Sequence, residues 1–285
     1  MNGFKEEEIT IMDKSERIGQ STIQHGSESN RVYLMDLWPS DFPEIIEKMD
    51  TLAKTQGYTK LFAKVPSRFG PQFRMAGYET EAIVPGFFNG IEDALFVVKY
   101  NDPERRNPDK KEMELFQELL LSDINADAPE LDNSHVLRLL TPEDAGEMTA
   151  VFSQVFDSYP FPIFDAGFLK KEMHEETRYF GVFQNGELVG ISSAECNERL
   201  KNAEMTDFAV LPSQRGKKIA IHLLRAMEDY LMTQGFKSFY TIARLKSPSM
   251  NKTFMNNHYR YTGTLVNNTQ IAGQIESMNV WYKIV

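Results

Sequence analysis

The sequence predicts a mixed α/β protein built as two related halves. Three observations carry this. The chain has 285 residues, more than one core of ordinary size usually organises. Strand-like and helix-like apolar patterns alternate through its second half. Several ordered points in the first half recur in the second at a slowly growing offset.

The elements of the second half are legible in order. Val136-Leu137-Arg138-Leu139-Leu140 reads as a strand, and Thr141-Pro142-Glu143-Asp144 as a helix start with an N-cap and a proline at the first position. Tyr179 to Gln184 and Glu187 to Ala194 flank Asn185-Gly186, the favoured two-residue hairpin turn. Ala203 to Leu211 is an apolar strand. Behind it Leu223, Leu224, Met227 and Leu231 follow helical spacing over 219–233, and Gly235 stops the helix. Phe239 to Ala243 and Ser277 to Ile284 complete the strands.

The first half copies part of this. Thr55-Gln56-Gly57-Tyr58 matches Thr233-Gln234-Gly235-Phe236, and Phe73 with Gly77-Tyr78 matches Phe254 with His258-Tyr259. Gly90 to Lys99 matches Gly273 to Lys283. Asn101 to Asn133, rich in Asp, Asn and Pro, reads as a linker with a helix from Glu112 to Leu121 inside it. The expected units are therefore 1–125, ending in linker, and 134–285.

Composition narrows the function. Apolar residues at 41% support a core in each half, and a net charge of −10 argues against a nucleic-acid partner. One cysteine, Cys196, excludes an internal disulfide and a cysteine-rich metal site, and no metal is expected. Met1 to Glu8 lacks the apolar stretch of a signal peptide, and no run of about 18 apolar residues offers a membrane span. A cytoplasmic protein with no membrane partner is expected, its self-association left open.

One stretch stands out: Leu211-Pro212-Ser213-Gln214-Arg215-Gly216-Lys217-Lys218-Ile219-Ala220. A short basic turn between a strand and a helix leaves the first helical amides free, at the positive end of the helix dipole, so it suits an anion. By itself the pattern also fits a solvated basic loop. The matching place in the first half, Leu37-Trp38-Pro39-Ser40, passes almost directly into a helix from Glu44 to Gln56 and lacks the turn.

The order of elements around this turn resembles the GNAT acyl-CoA N-acyltransferase family over about residues 134 to 285. The family's pyrophosphate motif, Gln/Arg-x-x-Gly-x-Gly/Ala, falls on Arg215-Gly216-Lys217-Lys218-Ile219-Ala220, with Lys218 where glycine is usual. The resemblance implies a GNAT-type mixed sheet in the second half and a degenerate GNAT-like half before it. Pro85 to Gly90, Ser158-Tyr159-Pro160-Phe161-Pro162-Ile163, Asn267 to Gly273 and Glu276 to Lys283 further resemble the bacterial branch of the family that acetylates the N6 amine of β-lysine, yielding a compatible solute.

The resemblance implies acetyl-CoA as acyl donor. Arg215, Gly216, Lys217, Lys218, Ile219 and Ala220 would hold its pyrophosphate, and the backbone of Phe208, Ala209 and Val210 its pantetheine arm. Asn251 and Phe254 complete the expected cofactor contacts. The small-molecule amine must lose a proton before it attacks, since a lysine-type ammonium has a pKa of about 10.4. Glu204, on the strand entering the turn, is the expected base. The tyrosine usual after Asn251 is replaced by His258, so the acid role passes to Tyr259. Asp157, Tyr159, Asp207, Glu276, Asn279 and Tyr282 are the candidate substrate contacts. Competing readings are a GNAT enzyme for another primary amine (a polyamine, an aminoglycoside or a protein lysine) and a non-catalytic acyl-CoA-binding regulator.

Overall fold

The computed structural model describes residues 13–285 except 129, 158 and 160. Met1 to Glu8 and the Ser158 and Pro160 of the motif quoted above lie outside the described residues. The first half contains β1 (Lys14–Ile18), β2 (Ser21–Gly26), β3 (Arg31–Asp36), α1 (Glu44–Gln56), β4 (Lys60–Pro66), α2 (Gly70–Met75), β5 (Glu79–Phe88) and β6 (Glu92–Tyr100). After α3 (Lys110–Leu120) come β7 (His135–Leu139), α4 (Ala145–Val155), α5 (Ala166–His174), β8 (Thr177–Gln184), β9 (Glu187–Asn197) and β10 (Asn202–Val210). The chain ends with α6 (Ile219–Thr233), β11 (Ser238–Arg244), α7 (Pro248–Asn256), β12 (Arg260–Ile271) and β13 (Gln274–Ile284).

The strands form two mixed sheets, ordered β1-β2-β3-β4-β6-β5 and β7-β8-β9-β10-β11-β13-β12. Without β7 the two orders correspond strand for strand. Each sheet contains one parallel pair at the equivalent place, β3 with β4 and β10 with β11. A parallel pair needs a crossover, which α1 and α6 supply. The sequence repeat sits on this correspondence. Gly57 and Gly235 end the two crossover helices at φ 74° and 78°. Gly77 and His258 share a positive φ, and each is followed by a buried tyrosine packed edge-on against the preceding phenylalanine, Tyr78 on Phe73 at 5.1 Å and Tyr259 on Phe254 at 5.2 Å.

The local signals act as expected in the second half. Thr141 and Asp144 form a reciprocal capping box ahead of α4. Asn185 and Gly186 both take positive φ at the β8–β9 turn, and Ile219, Leu223, Leu224, Met227 and Leu231 are the buried stripe of α6.

Alternation along the strands then decides the layers. On β4, Leu61, Ala63 and Val65 pack under α1 and α2, whereas Phe62 turns the other way. Phe62, Ala82, Val84, Phe96 and Val98 meet Tyr240, Leu265, Met278 and Val280, so the two sheets lie face to face. The far face of the second sheet is covered by α6 and α7, and α4 with α5 cover the β7–β10 end of its near face.

The stretch from Asn101 to Asn133 is more than a linker. Phe116 of α3 is buried against Tyr261 and Trp281. Arg105 donates to the carbonyls of Ser29 at 2.5 Å and Asn267 at 2.9 Å, tying both halves together. The segment's proline and asparagine content marks irregular backbone, but it does not reveal these long-range partners.

The sheets approach most closely at Gly263, where a β-carbon would stand 1.8 Å from the Glu81 carbonyl oxygen. Glycine is required there because backbone cannot retreat as a side chain does. Gly263→Ala should lower stability by about 1–3 kcal/mol or more, the range for overpacking a tight interior. The check is the denaturant midpoint, and an unchanged midpoint would mean that the halves do not pack this way in solution.

Candidate active site

The bulge and splay of β10 create the site. β10 pairs with β11 only from Asn202 to Glu204, although it runs on to Val210. On its other edge the register with β9 shifts between Thr206 and Ala209, and Asp207 takes φ 52°. Beyond Glu204, therefore, the β11-facing edge of β10 offers N–H and C=O groups to an added strand-like ligand. Phe208, Ala209 and Val210 lie on that stretch, with Phe208 packed edge-on to Phe254 at 5.6 Å.

The turn follows directly. Pro212–Gln214 form one helical turn, Gly216 has φ 85°, and α6 begins without a side-chain cap. The Ile221 amide bonds to the Lys218 carbonyl at 3.0 Å, which leaves the amides of Ile219 and Ala220 facing the turn. No atom comes within 4 Å of a β-carbon placed on Gly216, so this glycine serves its backbone angle rather than a tight contact. Lys218 itself sits at φ 58°, which is why glycine suits that place and where the departure from the motif carries its conformational cost. Lys217 bonds to Gln214 at 2.6 Å, and Lys218 to the Asp127 carbonyl. Arg215 is exposed, its amide bonds to the Pro212 carbonyl at 3.3 Å, and its guanidinium has no hydrogen-bond partner among the described residues.

A free strand edge leading to an uncapped helix start matches what a phosphopantetheine thioester requires, and the sequence comparisons agree. The profile of the acetyltransferase (GNAT) family matches residues 146–251. The β-lysine N(6)-acetyltransferase of Methanococcus maripaludis is 34% identical, covering 96% of this chain and 99% of that protein. Its counterpart from Methanosarcina mazei is 29% identical over 86% of this chain and 98% of its own. The N-acetyltransferase YodP of Bacillus subtilis is 30% identical over 81% and 84%. The chain belongs to the GNAT acetyltransferase family. It is an acetyl-CoA-dependent N-acetyltransferase, and the face of β10 that meets the first half gathers several ionisable groups.

On that face Glu204 stands opposite Glu195 of β9 and beside Tyr240 of β11. Lys64 reaches across from β4, donating to the Tyr240 hydroxyl at 2.9 Å. Water still reaches Glu195 and part of Glu204, so these groups line a cleft. Crowding by protein raises the Glu195 pKa well above the ordinary carboxylate value, and the charges of Glu204 and Asp207 add to the effect. Burial raises Glu204 too, opposed by the Lys64 charge and the Tyr240 hydroxyl. Asp207, at the bulge, accepts from Ser193 at 2.6 Å and from Tyr159, and its pKa is raised chiefly by burial. The structure thus brings Glu204, Asp207 and Tyr159 together. Tyr282 is on the same face, paired with Tyr240 in register, and Asp157 is exposed just beyond α4.

Other expected contacts are corrected. Asn251 donates to the carbonyls of Arg244 and Ser247, and its oxygen accepts from Asn279 and Trp281, each at 2.9 Å. Both donors and both lone pairs are used, so the side chain holds α7 to the sheet and has no capacity for a cofactor. Asn279 is spent on Asn251 and Thr264 and is fully buried. Glu276 is buried in a two-point pairing with Arg244 at 2.7 and 2.8 Å and a bridge to Lys246 at 2.6 Å, which neutralises it as a seat for an ammonium. Phe254 is core packing behind Phe208. Tyr259 is buried with Glu228 beside its hydroxyl, and burial followed by that charge raises its pKa well above the ordinary value. It belongs to the cluster with Ala203 and Met205, on the sheet face opposite Glu204, and does not meet it.

Sequence reasoning missed Glu195, Ser193, Tyr240 and Lys64. Each sits on an otherwise apolar strand with its polar group on one parity, a signal that gains meaning only once the neighbouring strand is known. Cys196 is buried, its thiol pushed up to about 12 by burial, so it offers no thiolate for an acyl-enzyme route.

The first half lacks the basic turn among the described residues: α1 follows Pro43 directly and carries Glu44 and Glu47 in its first turn, carboxylates that oppose an anion there. Calorimetry should therefore find one coenzyme A per chain, and two sites of similar affinity would contradict the assignment. Arg215→Ala should raise the KM for acetyl-CoA by about 10- to 100-fold, the range for one charge-assisted contact, with the amine KM little changed. An unchanged KM would make the turn a solvated loop.

Proposed function

We propose that the protein transfers the acetyl group of acetyl-CoA to the terminal, N6 amine of β-lysine, giving the compatible solute Nε-acetyl-β-lysine, with Glu204 as general base. The observation that carries the reading is the set of carboxylates, Glu195, Glu204 and Asp207, gathered beside the free edge of β10. An acidic cleft favours a cationic amine, and the two β-lysine acetyltransferases similar to this chain span nearly all of it.

The chemistry requires a neutral amine, a polarised thioester carbonyl and a single line of approach. The free amides at the β10 bulge, around Phe208, face the place where charge develops on the carbonyl oxygen. Glu204 takes a proton from the ammonium, directly or through a water in the cleft, and the resulting amine attacks the acetyl carbon. The C–N bond forms, the C–S bond breaks, and the nitrogen gives up its second proton to the departing thiolate, so coenzyme A leaves as the free thiol. A carboxylate of ordinary pKa is a poor base for an amine. Burial, with the charge of Asp207 adding to it, raises Glu204 and makes it a stronger one.

Glu204→Gln keeps shape and polarity but loses proton affinity, so kcat should fall by about 10²–10⁴ while acetyl-CoA affinity stays nearly constant. Full activity of this variant near neutral pH would dismiss Glu204 as the base. The pH profile provides a second reading. The base works only when deprotonated, so kcat/KM should rise with pH through a limb above the ordinary carboxylate range, in line with the raised pKa. That limb should disappear in Glu204→Gln, and its persistence would assign the titration to another group.

A further inference from the structure

The first half lacks the basic turn at its own helix start, yet it sends one cation into the acceptor cleft. On β4 the residues of one parity, Lys60, Phe62 and Lys64, face the second sheet. The two lysines end differently. Lys60 is consumed by structure: its ammonium bonds to the Val266 carbonyl at 2.6 Å and Glu81 at 3.3 Å. Lys64 bonds only to the Tyr240 hydroxyl, at 2.9 Å, with the rings of Tyr240 and Phe87 at 5.1 and 5.4 Å. An ammonium has three donors. Among the described residues Lys64 makes no ion pair within 4.0 Å, so two donors lack a protein acceptor in a half-buried position.

Its place along the site is defined by register. Tyr240, which holds it, is the β11 partner of Glu204, and the bulge where the thioester would lie begins after Thr206. At about 3.3 Å per residue, the Glu204 level is about 7 Å from Thr206, where the bulge begins, and about 13 Å from Phe208. A diamino acid whose terminal amine sits between the bulge and the Glu204 carboxylate, within reach of a bridging water, would carry its other end back toward the Tyr240 hydroxyl that holds Lys64. The two amines of such an acceptor are matched by the carboxylates of the cleft, but its carboxylate needs a cation.

We propose that Lys64, contributed by the first half, anchors the carboxylate of the acceptor and so selects diamino acids over simple diamines. This rests on the functional reading above. Tyr240 orients the ammonium through its hydroxyl and ring, and against the lowering effect of burial the neighbouring groups Tyr33, Glu204, Glu195 and Asp36 raise its pKa. The first half is thereby a wall of the acceptor site rather than an appendage to the catalytic half.

The test compares β-lysine with the same diamine lacking its carboxyl group, measured on the wild type, Lys64→Met and Lys64→Arg. The wild type should favour β-lysine by about 10²-fold in kcat/KM, as a site built to pair a charged group rejects an analogue without it. Lys64→Met should lose most of that preference by weakening β-lysine alone, and Lys64→Arg, which retains a cation, should recover part of it. Coenzyme A stoichiometry checks that each variant folds, and the wild-type preference tests the idea without any variant. A wild type that turns over β-lysine but shows no preference, or a Lys64→Met variant in which both acceptors fall alike, overturns the anchor while leaving the functional reading intact. A wild type that leaves β-lysine unacetylated overturns that reading, and the anchor with it.

Discussion

The apolar layer shared by the two sheets fixes the distance between the halves, and the acceptor site depends on that distance. Phe62, Phe96, Tyr240, Met278 and Val280 are all nearly inaccessible to water, and Gly263 lets the backbones close to a separation that no β-carbon would permit. Burying apolar surface of this kind is favourable in proportion to area and has little directional preference. Direction comes from the polar bonds at the margins, where Arg31 meets the Asn268 carbonyl at 2.8 Å and Asn202 the Phe87 carbonyl at 2.9 Å. With the sheets held in this way, Lys64 and Glu204 are brought to one cleft although they lie on different sheets.

Within the second sheet the decisive constraint is local. β10 must pair with β11 at its start and diverge from it at its end, and the bulge at Asp207 accomplishes the change. A non-glycine residue at positive φ is costly and persists where its surroundings hold it. Here Ser193 and Tyr159 both bond to the Asp207 carboxylate, so the strained residue is fixed through its side chain. The same carboxylate therefore links the bend that exposes the strand edge with the segment after α4 that borders the acceptor.

The sequence reveals what is local and conceals what is not. Helix spacing from Ile219 to Thr233, the Asn185-Gly186 turn and the basic turn at Gly216 are short-range patterns with short-range causes, and each is found in place. The repeat is legible too, because a positive-φ position followed by a buried aromatic recurs at Gly57-Tyr58 and Gly235-Phe236. Asn251 shows the limit. Its position after the fifth strand of the second half resembles a cofactor contact, but its four hydrogen bonds reach residues as far away as Trp281, and only three-dimensional pairing reveals that nothing is left over. Glu276 misled for the same reason, since its neutralising partner Arg244 is on another strand. Lys64 escapes notice because its partner Tyr240 lies 176 residues further along the chain, on the other sheet.

The two halves also show how one topology separates two tasks. Both have a strand, a crossover helix and a parallel strand at the corresponding place. In the second half a basic turn precedes the helix start, whereas in the first α1 follows Pro43 directly and carries Glu44 and Glu47 in its first turn. Carboxylates there repel the phosphate that a basic turn attracts. The proposed division leaves the Lys64 face of β4 to the acceptor. That division matters electrostatically. Burial raises the proton affinity of all three carboxylates of the cleft, and for Glu195 and Glu204 neighbouring charges add to it, which favours protonated forms that no longer attract an ammonium. A single cation from the opposite sheet offsets this, lowering the pKa of Glu204 without an ion pair that would take it out of action. In the proposed mechanism the proton affinity of Glu204 stays raised by burial, and the offsetting cation favours its charged form, which attracts the amine.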